Sequence, residues 1–191
     1  MRRLLIIGAG GHGRSLAEAV LLKGEFSLTG FLDDAFPQLD DVWGVPVLGG
    51  VSDFACWRSE SDCAIVAIGN NAVRKRMTEN VREAGFEMVT IVHPSAGVSP
   101  RATIGAGSAI MAGAIVGTEA QLGEGVIVNC AAVVDHHCRV GDFGHLGVNA
   151  AMTGGSVLGA LAWMQAGSAI GYGVEIEAQH ILKPGESASL C

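Results

Sequence analysis

His136 and His137 stand side by side after Asp135, and His145 follows nine residues after His136. An imidazole titrates near working pH, so it can take a proton from an attacking nucleophile and pass it on. Adjacent residues on an extended strand point to opposite faces, so Asp135 is not expected to serve His136. On residue type alone, a solvated corner pair accounts for His136-His137 better than a catalytic one. A second chemical signal lies near the N-terminus. Gly8-Ala9-Gly10-Gly11-His12-Gly13 matches G-x-G-x-x-G, and Asp33-Asp34 follows about 20 residues later. Such glycines let backbone approach a phosphate, the next helix offers its electropositive end, and a carboxylate can accept from a ribose hydroxyl. His12 can contact a phosphate or a sugar. The motif alone fits an NAD loop equally well, and the two aspartates alone fit a turn.

The elements that must carry these residues are of two kinds. From Val98 to Leu182 every sixth residue is aliphatic, and four residues after each comes a small one, as at Ala102, Ser108, Ala114, Ala132 and Cys138. A period of six is neither helical nor simple β alternation. It marks a hexapeptide β-helix, in which each hexad forms one face of a triangular coil and residues 18 apart stack in one column. One coil cannot bury its own aliphatics, so about five must stack. Val126, Val174, His180 and Glu186 break the small-residue rule, and the last two predict an irregular or capping final coil. His136 and His145, half a coil apart, fall on different faces, so a site that uses both is built most easily between subunits. Gly154 lies 18 after His136, one coil along, and would clear space beside it.

The N-terminal segment reads as a small parallel α/β domain. Residues 3–7 form a buried strand, 14–23 a helix with Leu16, Val20 and Leu21 on one face, and 28–32 a second strand. Residues 63–68, 72–84 and 88–92 complete it as strand, helix and short strand. His93-Pro94 marks the boundary. The expected division is a Rossmann-like domain over 1–92 and a left-handed parallel β-helix over 93–191.

Composition excludes several classes. The net charge is −7, and from His93 onward the only Lys or Arg are Arg101, Arg139 and Lys183, so no basic face for nucleic acid exists. No apolar run is long enough for a membrane span, and the apolar stretch at 4–7 is too short for a signal peptide. Five cysteines without Cys-x-x-Cys spacing point to a reducing cytoplasm, with no disulfide framework and no metal site.

Taken together, GAGGHG, LDD, AIGNNAVRKR, HPSA and VNCAAVVDHHCRVGDFGHLGVNA resemble the sialic acid O-acetyltransferase (NeuD-like) family of sugar acyltransferases. Within it the chain is most similar to the UDP-4-amino-sugar N-acetyltransferases of the UDP-N-acetylbacillosamine-forming type. The resemblance implies acetyl-CoA as co-substrate, a homotrimer with active sites between subunits, and a nucleotide sugar, not NAD, on the N-terminal domain. It implies His136 as the general base. His137 takes the place of the family's carboxylate partner, so another acid must serve or the rate must suffer. It further implies coenzyme contacts at His145, Gly154 and Ala166, and substrate contacts at Gly10, Gly11, His12, Asp33, Asp34, Gly69 and Asn129. The family's closing Gly-x-Pro-Ala tail has no counterpart after Lys183-Pro184-Gly185, which fits either weaker acetyl-CoA binding or a shortened chain.

The function so implied is acetyl transfer to the 4-amino group of a UDP-linked 4-amino-4,6-dideoxy sugar in a bacterial cytoplasm. Alternatives are O-acetylation of sialic acid or another sugar, a non-catalytic nucleotide-sugar-binding protein and, less favoured, an NAD-dependent enzyme. The last lacks the second mononucleotide half that a dinucleotide needs.

Overall fold

The computed structural model describes residues 1–189 and divides into two compact units, Met1–Ile91 and Val92–Cys191. No helix among the described residues is long and apolar enough to cross a membrane. The four described cysteines are free, and Cys191 lies outside the described residues.

The first unit runs β1 (Arg2–Ile7), α1 (Gly11–Lys23), β2 (Phe26–Leu32), β3 (Asp41–Val42), β4 (Val45–Pro46), a 3-10 turn at Asp53–Trp57, β5 (Cys63–Val66), α2 (Asn71–Glu83) and β6 (Glu87–Met88). β1, β2, β5 and β6 form one parallel sheet in the order β2-β1-β5-β6. The inner strands are continuous apolar runs, Leu4 to Ile7 and Cys63 to Val66, all buried, as a sheet covered on both faces requires. Strand order reverses between β1 and β5, so the loops after them open at the switch point where α/β sheets take ligands.

Two sequence expectations are corrected here. Leu21 does not share the buried face of α1: it is 58% exposed, whereas Leu16, Ala17 and Val20 are buried. At about 100° per residue, Val20 lies close to Leu16 around the helix while Leu21 turns well away. The strand expected at 88–92 is two strands on different ladders. Val89 donates to Ala64 O (3.1 Å) beside β5, while His93 donates to Ile110 O (2.8 Å) in the second unit.

The second unit is a parallel β-helix of two-residue strands every six residues, from Ile91–Val92 to Ser187–Ala188, on three faces of six, six and five strands. The register step is 18: Ile115 pairs Val133, Val133 pairs Ala151, and Ala151 pairs Ala169. Each hexad sends one aliphatic and one small side chain inward. Val116, Val128, Val134, Val140, Leu146 and Met152 pack with Ala114, Ala120, Ala132, Cys138 and Ala150 into one core. The prism is wide enough for Val126 and Val174 at small positions, both buried. Interior Ser108 is satisfied within the prism, donating to Gly123 O (3.3 Å) and accepting from Val126 N–H (3.1 Å). At each corner one residue takes a positive φ, at every sixth position from Gly107 to Gly185.

Among the described residues the final coil is regular, which overturns the irregular form of the expectation and leaves the capping one. Ala169 and Ile170 pair Ser187 and Ala188, and Trp163 N–H reaches His180 O at 2.8 Å. The backbone ladder sets the register, and the side chains of His180 and Glu186 are exposed at the last rung, so their size costs no packing.

Candidate active site

His136 and His137 sit on the corner between the strands Val133–Val134 and Arg139–Val140. Three backbone bonds tie this corner rung to rung: His137 N–H to Thr118 O (3.0 Å), Gly155 N–H to His136 O (3.0 Å) and Gly173 N–H to Gly154 O (3.1 Å). His137 is the positive-φ residue of its hexad, at +59°, and this turn swings the two imidazoles together. Their Nδ1 atoms lie 2.9 Å apart and their rings meet edge-on, at 86°.

Asp135 behaves differently from the sequence expectation. The corner is a turn, not extended strand, so strand alternation does not apply. One carboxylate oxygen accepts His136 N–H at 2.7 Å, and the other lies 3.7 Å from His136 Nε2. On the far side, Glu119 Oε2 lies 3.0 Å from His137 Nε2. Glu119 was not singled out from the sequence. It stands 18 residues before His137 in the same corner column, so the spacing that pairs His136 with Gly154 also points to it.

Gly154 lies beneath the His136 imidazole. A methyl group there would fall 2.6 Å from His136 Nε2, whereas one at Gly155 would meet nothing within 4 Å. The first glycine makes room for the imidazole itself, and the second leaves open space beside it. Exposed Tyr172 follows one rung beyond Gly154.

The remaining β-helix candidates lie elsewhere on the protomer. His145 is on a flat face, buried, with its ring stacked on Trp163 at 5.4 Å and 16°. Asn129 and Ala166 belong to the corner that follows that face. Asn129 Oδ1 accepts Cys130 N–H (2.8 Å), and Ala166 O accepts Gly185 N–H (2.9 Å). The structure thus joins His136, His137 and Gly154, and separates them from His145, Asn129 and Ala166. A surface groove of about 550 Å³ on a third face is lined by Gln121, Arg139, Val157 and Asp142, among others, but not by His136.

In the first unit the Gly loop packs as its glycines demand. A methyl at Gly13 would run into Gly8 O, and one at Gly8 would sit 2.9 Å from Ala67 O. Gly10, Gly11 and Gly69 instead face open space, which leaves their backbone approachable. Asp33 staples this loop: its oxygens accept Ala9 N–H (2.7 Å) and Ala35 N–H (2.9 Å). Asp34 accepts Val51 N–H at 3.0 Å. Both carboxylates hold loops.

His12 Nε2 is enclosed without a hydrogen-bond partner. Burial, reinforced by the charge of Arg74, pushes its pKa down to about 4, so the ring is neutral at pH 7. Arg74 is itself buried, which lowers its pKa to about 10. It donates to Ile68 O (3.0 Å), Gly69 O (3.2 Å) and Asn71 Oδ1 (3.0 Å), fixing the loop after β5. No sequence signal marks Arg74, because arginine on a helix is ordinarily solvated. Among the described residues no group of His, Cys, Asp or Glu is placed to hold a metal ion.

Residues 3–81 match the PglD N-terminal domain. The UDP-N-acetylbacillosamine N-acetyltransferase of Bacillus subtilis is 34% identical over 115 residues, 59% of this chain and 52% of that protein. The chain spans about half the length of the curated relatives it matches. PerB of Caulobacter crescentus, solved with CoA and GDP-perosamine, superposes with a TM-score of 0.92 at 35% identity, covering 97% of this chain and 88% of that one. The acetyltransferase domain of PglB from Neisseria gonorrhoeae, solved with acetyl coenzyme A, gives a TM-score of 0.78 at 36% identity over 97% and 95% of the two chains. With both units and nearly the whole length matched, the chain belongs to the family of sugar N-acetyltransferases that join a PglD N-terminal domain to a hexapeptide-repeat β-helix.

Proposed function

We propose that this protein transfers an acetyl group from acetyl-CoA to the 4-amino group of a nucleotide-linked 4-amino-4,6-dideoxy sugar. The observation that carries the reading is the corner at His136, where an imidazole lies over Gly154 beside open space and two carboxylates flank the histidine pair. The neutral amine attacks the thioester carbonyl carbon and the C–N bond forms. The amine proton passes to His136 Nε2. Collapse breaks the C–S bond, and the proton moves to the thiolate, releasing CoA as a thiol. Asp135, 3.7 Å from Nε2, opposes the positive charge that the ring gains.

The nucleotide is bound at the loop of Gly10, Gly11 and His12 with Gly69, where exposed backbone meets the N-terminal end of α1. Asp33 staples that loop through Ala9 N–H, and Asp34 holds the separate loop at Val51. The sequence resemblance favours UDP, while the relatives named above act on a UDP sugar or bind a GDP sugar, so both bases belong in the test. His145, Ala166 and Asn129 complete the site from a neighbouring protomer of a homotrimer, with His145 and Ala166 against the coenzyme. Support comes from the face carrying Ile115, Val133, Ala151 and Ala169, which presents no charge and is flat enough to pack side by side. Light scattering should return three times 19.6 kDa. The free cysteines fit a cytoplasmic setting.

The deciding experiment is thiol release from acetyl-CoA with UDP-, dTDP- and GDP-4-amino sugars and CMP-sialic acid. Turnover with an amino sugar is expected. Turnover with sialic acid alone would replace N- by O-acetylation. Binding of a nucleotide sugar without any thiol release would make the protein a binding module.

A further inference from the structure

Glu119, His137 and His136 form a line of three side chains with contacts of 3.0 Å and 2.9 Å. We propose that Glu119 is a positioning residue for His136 and acts through His137. This rests on His136 being the base.

The protons of the line follow from its end. A carboxylate only accepts, so His137 Nε2 carries the hydrogen that faces Glu119. Neutral His137 then has its lone pair on Nδ1. The 2.9 Å contact between the two Nδ1 atoms needs one hydrogen, and that hydrogen belongs to His136. His136 therefore has its lone pair on Nε2, the nitrogen over Gly154. One carboxylate, two bonds away, selects the tautomer that makes His136 a base at the open position. When His136 takes a proton at Nε2, its Nδ1–H bond to His137 becomes charge-assisted, and Glu119 lies in line to oppose the new charge. The missing carboxylate next to His136 is thus replaced from one coil below. The fold makes this cheap: Glu119 and His137 are both positive-φ corner residues, at +60° and +59°, one rung apart.

The test combines kinetics with imidazole nitrogen NMR. In the wild type, His137 is expected as the Nε2–H tautomer and His136 as the Nδ1–H tautomer. In E119A, His137 should become a mixture, and kcat should fall roughly three- to fivefold with both KM values unchanged, the upper scale of a half-exposed pair. H137E places a carboxylate beside His136 directly. E119A added to H137E should then cost less than twofold, because the line is no longer used. Wild-type kcat in E119A, or the same loss from E119A in both backgrounds, would overturn the proposal. So would the opposite tautomers, a readout that needs no accepted sugar. If H136A retains turnover, the base assignment itself fails. If H136A is silent while E119A turns over normally, only the relay fails. All three substituted residues lie on an exposed corner, so thermal melting serves as the control for folding.

Discussion

His136→Ala should lower kcat by about a hundredfold or more while leaving both KM values within about twofold, since general-base removal costs the transition state and not ground-state binding. Stopped-flow thiol release checks it, and unchanged kcat would remove His136 from the mechanism. His12 supports a prediction about stability. The unfolded imidazole takes a proton near pH 6.5 and the folded one near pH 4. Between those values the unfolded chain holds more protons, so acidification favours unfolding. The contribution is fully present above about pH 6.5 and lost as pH falls towards 4, on the order of 3 kcal/mol. Urea unfolding of wild type and H12Q at pH 7 and pH 5 should show a steeper loss in wild type. Equal pH dependence in both would show that His12 is not the group responsible. At this scale the sequence singles out His136 as a candidate by type and by its neighbourhood, while Glu119 and Arg74 come into view only with their contacts. Arg74 looks like any solvated helix cation until its burial is seen.

At the scale of elements, Gly154→Ala is the informative change. Gly154 does not have a positive φ, so the backbone accepts alanine, and only the imidazole above it must move. Displacing a base by even part of an ångström should cut kcat at least about tenfold, with unfolding free energy changed by less than about 1 kcal/mol. Unaltered turnover in G154A would mean that the ring has room to spare. The hexads were readable residue by residue because a prism that admits one aliphatic and one small side chain leaves no other pattern. The same regularity hid the last coil's behaviour. His180 and Glu186 violate the pattern, yet backbone pairing alone keeps that rung in register. The short strand at 88–92 failed for a related reason: two ladders begin within five apolar-rich residues, and hydropathy cannot say which partner each strand takes.

At the scale of the molecule, a solenoid shares stability between adjacent rungs rather than around one centre. Leu146→Ala, at a fully buried core position, should cost about 2–5 kcal/mol. Hydrogen exchange should rise most in the rungs that flank it, at Val128 and Met164, and least in the Rossmann-like unit. Uniform loss of protection through both units would show instead that the chain unfolds as a single body.

Periodicity and motif order determined the two architectures, because the interior of a β-helix and the turn of a βαβ unit each tolerate very few side chains at fixed spacings. Chemistry was decided by the tertiary structure. Whether Asp135 faces His136, whether Glu119 meets His137, and which loop Asp33 holds all depend on corner dihedrals and on side chains far apart in sequence. Spacing assigns each residue to a column. Only the turn at each corner sets where its side chain points, and hydrogen bonding acts over a few ångströms of that direction.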